Sequence, residues 1–177
     1  PSGFSHSTCL PTASAASDLA ERLDEVTLPV LVITGDDRVV LLTADTLATV
    51  ATIDGLAGVR DPQVQGDSVF VAVPGVGDID GDEKVVQLAL ADGATRAEWS
   101  VPQFSLHSIA PTDQEVWVVW IRDQLNTGLV RIDLSDSSIA DVPLDEYRVR
   151  FDASVRASPT QPGEFYLDTQ ASPLNVI

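Results

Sequence analysis

The residues with the sharpest chemical potential form the run Gly77-Asp78-Ile79-Asp80-Gly81-Asp82-Glu83, three Asp at alternate positions around a glycine. Hard cations take clustered oxygen ligands, and alternation through a tight glycine turn can aim Asp78, Asp80 and Asp82 at one Ca2+, with Glu83 as a fourth carboxylate. Val86 stands at the ninth position, where such a loop places another acidic ligand. In a chain this acidic, Asp-Gly clusters also arise as solvated hairpin tips. Both readings stay open from sequence.

The remaining candidates are sparser. His6 and His107 are the only histidines and form no metal or triad signature. His107 lies beside Ser105 and Ser108, but no Gly-x-Ser-x-Gly elbow presents a nucleophilic oxygen, so a hydrogen-bonded loop histidine is the expected role. Trp117 and Trp120 are three apart in an apolar run, hence on opposite faces of a strand. Core packing between sheets is the expected use of these rings, and the alternative is an exposed Trp beside Arg122 that stacks on a sugar or peptide. Arg148, Arg150 and Arg156 supply the chain's one local basic bias, suited to pairing with its many Asp or to an anion or partner contact.

The elements that would position these groups are strands. Residues 1–17, rich in Ser, Thr, Ala and Pro, read as a flexible N-terminal arm. Residues 18–27 read as a short helix with Leu19, Leu23 and Val26 on one face, capped by Ser17 and ended before Pro29. From 28 to 177 the period switches to strand. Three runs, 29–34, 38–43 and 47–53, are separated by turn residues. A second triplet follows at 68–73, 84–90 and 95–101, and a third at 115–121, 128–134 and 138–142, with 165–167 opening a fourth. The opening strands at Val30, Val69, Val116 and Phe165 recur about every 40 to 50 residues, the period of four-stranded propeller blades. The expected class is therefore all-β, a partial β-propeller of four-stranded antiparallel sheets, with a β-sandwich as the alternative.

The segment 86–100, with its Asp92-Gly93 turn leading to Trp99, resembles the repeat of quinoprotein-like (PQQ-like/YVTN-type) propellers. Residues 39–52, around Asp45, and 130–140, around Asp136, look like weaker copies, and the likeness covers about three blades from 29 to 142. The loop around Asp80 likewise resembles the aspartate loop of integrin-type propeller repeats. These resemblances imply a propeller fold and carry no catalytic or cofactor residue onto this chain; structural Ca2+ is the one ion they make plausible.

Composition narrows the function. Ten Lys+Arg against 27 Asp+Glu give a net charge of -17, which opposes binding to phosphate backbones or anionic lipid. Nucleic acid is excluded as an expected partner, and no apolar run approaches the roughly 18 residues of a membrane span. Cys9 is the only cysteine, and Met is absent even at position 1, as expected of a processed chain or a piece of a longer polypeptide. Closed propellers need about four blades or more, so other blades of the same protein, or another chain, are expected to complete the ring. The expected function is a non-catalytic binding or scaffold module, extracellular or in the cell envelope, engaging a protein or glycan. The competing reading is a fragment of a propeller hydrolase or quinoprotein-like dehydrogenase. A salt-adapted acidic cytoplasm is the alternative location.

Overall fold

A computed structural model of the chain describes residues 29–34, 37–74, 83–101, 105–121, 127–143, 153–158, 164–168 and 175–176. The arm at 1–17 and the helix expected at 18–27 lie outside the described residues.

The described chain is all strand and turn, and it forms four antiparallel sheets in sequence order. The first contains β1 (Pro29–Thr34), β2 (Arg38–Thr43) and β3 (Thr49–Asp54). The second contains β4 (Arg60–Gln65), β5 (Ser68–Val73), β6 (Lys84–Ala89) and β7 (Thr95–Ser100). The third contains β8 (Ser105–Pro111), β9 (Glu115–Ile121), β10 (Thr127–Asp133) and β11 (Ile139–Val142). The fourth contains β12 (Ser154–Ala157), β13 (Phe165–Asp168) and β14 (Asn175–Val176). Each sheet is a meander whose strands pair in chain order.

Apart from the two-residue β14, three strands were invisible to the periodicity. The expected triplets map onto all three strands of the first sheet and onto the second, third and fourth strands of the two four-stranded sheets, which begin one strand earlier with β4 and β8; β12 likewise precedes the expected strand at 165–167. These first strands carry Pro62 and Pro111 and read as polar segments such as Arg60-Asp-Pro-Gln-Val-Gln65. Proline is confined to sheet edges because it offers no N–H to a ladder, and an edge strand packed on one side needs no apolar run. The inner strands follow one another in space, β4 lying against β8 and β8 against β12.

Burial explains the sequence pattern. All six residues of β5 are buried, because both of its faces are covered by neighbouring sheets. Its side chains alternate: Val69, Val71 and Val73 pack with Val39 and Leu41 of the first sheet, whereas Phe70 and Ala72 pack with Val116, Val118 and Ile132 of the third. The third sheet meets the fourth through Val119, Leu129, Phe165 and Leu167. The core is thus a series of apolar layers between sheets, with the second and third sheets each serving two layers. The outermost strands β3, β7 and β11 are largely exposed and correspondingly polar. Among the described residues no helix is long and apolar enough to cross a membrane.

Candidate functional site

The densest polar convergence lies on the inner strands, where Asp61 (β4), Ser108 (β8) and Arg156 (β12) meet. Asp61 Oδ2 accepts hydrogen bonds from Ser108 Oγ at 2.8 Å, the Ile109 N–H at 2.7 Å and Arg156 Nη1 at 3.1 Å. Its other oxygen accepts from Gln63 Nε2 at 2.8 Å. Ser108 is 2% exposed. Its oxygen accepts from the Val155 N–H at 3.2 Å and from Arg156 Nη1 at 2.9 Å. A hydroxyl has one proton, and the charged carboxylate takes it in preference to the Val155 carbonyl 3.4 Å away.

Local backbone makes this reach possible. The register of β4 on β5 shifts between Arg60 and Gln63, and Asp61 adopts φ +46° at that irregularity. Asp tolerates the left-handed region better than most residues, so the bulge can re-aim its carboxylate across to β8. As a chemical site the cluster is closed on itself: the Ser108 lone pairs face two donors and both Asp61 oxygens are occupied. This geometry does not present Ser108 as a nucleophile. Sequence reasoning singled out Ser108 and Arg156 separately and passed over Asp61. The available signal was spacing, for Ser108 lies 47 residues after Asp61 and Arg156 lies 48 after Ser108, one repeat each.

A second network sits at the start of β5. Arg96 clasps Asp67 through Nη1 to Oδ1 and through Nη2 to Oδ2 at 2.7 Å, and it also donates to the buried Ser68 hydroxyl at 2.9 Å. The hydrogen bonds from Arg96 hold the Asp67 carboxyl below the ordinary aspartate range and raise Arg96 in turn. The Ser135 hydroxyl, followed by the Ser135 N–H, likewise lowers Asp133.

The tryptophans are packing residues in this structure. Trp117 faces the fourth sheet, with its ring centroid 4.6 Å from that of Phe165, and its Nε1 donates to Glu115 Oε2 at 2.9 Å. Trp120 faces the second sheet and lies over Gly128, where an added Cβ would come within 2.5 Å of the indole. The two rings do occupy opposite faces of β9, each between sheets. Trp99 is buried and stacks on Phe70 at 6.3 Å. Arg122, Arg148 and Arg150 lie outside the described residues, as do Asp78, Asp80 and Asp82. Glu83, the described member of the expected calcium set, is buried, and its backbone carbonyl accepts from the Val101 N–H.

No protein-family model and no curated protein sequence matches the chain. Solved structures do. The WD40 domain of Pan2 from Neurospora crassa superposes with a TM-score of 0.59 at 14% identity, over 86% of this chain and 46% of that one. The chain has a β-propeller fold. The computationally designed protein Ika4 is similar with a TM-score of 0.63 at 12% identity, over 84% of both chains. The dihydro-heme d1 dehydrogenase NirN gives 0.60 at 21% identity, over 82% of this chain and 31% of that one. This chain thus spans less than half of Pan2 WD40 and of NirN, and its sheets correspond to propeller blades.

Within the blades the two ends differ. The turns β2–β3, β4–β5, β6–β7, β8–β9 and β10–β11 all leave one face of the propeller, and each is short. The connections β3–β4, β5–β6, β7–β8, β9–β10 and β11–β12 leave the other.

Proposed function

We propose that the chain is a non-catalytic binding or scaffold module, exported or surface-exposed, that engages a protein or glycan through a propeller face. The observation that carries this reading is the inner-strand cluster. The polar groups that converge from three blades, where a propeller enzyme would hold its reacting groups, satisfy one another and hold the blades together instead. The face from which the β5–β6 and β9–β10 connections leave is the proposed contact surface, because on the opposite side Asp45, Asp92 and Asp136 are used on the backbones of their own turns and Asp67 is held by Arg96.

The competing reading, part of a propeller enzyme, takes its support from the likeness to NirN, a dehydrogenase by name. At 21% identity that likeness concerns fold alone. A defined glycan array and a random-peptide display library, both probed with the purified chain, separate the two. Saturable binding to one glycan or peptide, recovered chemically unchanged and weakened by Arg122→Ala, is the expected result. Conversion of a bound compound, or no saturable binding on either library, would overturn the proposal.

A further inference from the structure

We infer that Asp61, Ser108 and Arg156 form a directional latch, in which each blade supplies the side chain that closes the open inner edge of the next, so that three blades open as one unit. The innermost strand of a blade pairs on one side only, which leaves backbone N–H groups directed away from its own sheet. The Ile109 N–H of β8 meets the Asp61 carboxylate of the preceding blade at 2.7 Å. One blade further on, the Val155 N–H of β12 meets the Ser108 hydroxyl at 3.2 Å. The same relation therefore repeats with a different side chain.

The two links are joined. Ser108 Oγ donates to Asp61 while it accepts from Val155, so the carboxylate fixes the rotamer that caps β12. Arg156 lies across both, bonding Asp61 and Ser108 through one nitrogen and returning to the Val155 carbonyl at 2.8 Å. The linkage runs one way: Asp61 reaches β12 only through Ser108 and Arg156, whereas the Ile109 bond to Asp61 does not need Ser108. Asp61 is thus a positioning residue for a backbone group one blade beyond its neighbour, 95 residues from Arg156 in sequence.

Residue-resolved amide hydrogen exchange on the full chain tests this. Asp61→Asn keeps the tolerance of the left-handed backbone and removes the charge. It replaces a charged acceptor by a weaker neutral one and puts an NH2 donor among the donors around Asp61, and it is expected to speed exchange at both Ile109 and Val155 roughly tenfold, with the β6–β7 hairpin amides unchanged. Ser108→Ala is expected to speed Val155 alone, and the double variant to exchange at Val155 no faster than Ser108→Ala. A uniform rise at all strands in Asp61→Asn would mean general destabilisation and overturn the latch, as would an unchanged Val155. Should Asp61→Asn fail to fold, the Ser108→Ala pattern decides: equal acceleration of Ile109 and Val155 contradicts the direction of linkage.

Discussion

Asp67 and Asp133 are carboxylates whose partners should register in an acid titration. Both titrate below the ordinary aspartate range in the folded chain, Asp67 chiefly through Arg96 and Asp133 chiefly through the Ser135 hydroxyl. A carboxyl lowered by folding stabilises the native state above its unfolded value of about 3.9, and that stabilisation is lost as pH falls through the lower folded value. The melting temperature should therefore change little from these groups between pH 5 and 7 and drop below about pH 4. Asp67→Asn should flatten part of the acid limb in a calorimetric pH series and leave the neutral region less affected. Exposed pairs contribute little at neutral pH, so an equally steep acid limb in the variant would assign the loss to other carboxylates.

The recurring element is the hairpin between the third and fourth strand of a blade. Leu47, Gly93 and Ser137 occupy the same place in three such turns, with φ of +53°, +73° and +61°. Asp45, Asp92 and Asp136 each accept a backbone N–H of their own turn at 2.8 to 2.9 Å. Only glycine takes this backbone without a Cβ penalty, and Leu47 is 63% exposed, so its side chain loses little by removal. Leu47→Gly should stabilise the chain by about 0.5 to 1 kcal/mol in urea denaturation. Gly93→Ala should do the opposite by about 2 to 4 kcal/mol, since the new Cβ adds backbone strain and comes within 2.7 Å of Ala51 Cβ in the neighbouring blade. A destabilised Leu47→Gly would show that the leucine makes a contact worth more than its strain. The Asp turns were legible in sequence, but Leu47 was read as strand, because a leucine followed by a Thr/Val run carries no sign of a left-handed backbone.

For the whole molecule the dominant electrostatic fact is excess negative charge, 27 acidic residues against 10 basic. Five described basic side chains, Arg38, Lys84, Arg96, Arg131 and Arg156, already face a carboxylate. The remaining acids repel one another across a surface where the screening length is about 10 Å at 0.1 M salt. Raising NaCl from about 10 mM to 500 mM should raise the melting temperature, because screening removes more repulsion than it weakens in exposed pairs. A fall on adding salt would show that the ion pairs outweigh the net charge.

What the sequence determined by itself was the strand period, the Asp turns and the blade spacing, all of which are local or repeat over a fixed interval. The continuous apolar runs of β5 and β9 follow from their double-sided burial, and they survive as a pattern of Val, Phe and Trp that can be read without coordinates. Tertiary structure alone decided the inner strands and the latch. Arg60 to Gln65 becomes a strand because β5 offers it a ladder and β8 a neighbour, although its own residues favour neither. Asp61, Ser108 and Arg156 meet because stacking the blades brings positions a whole repeat apart within hydrogen-bond distance, which no local propensity encodes.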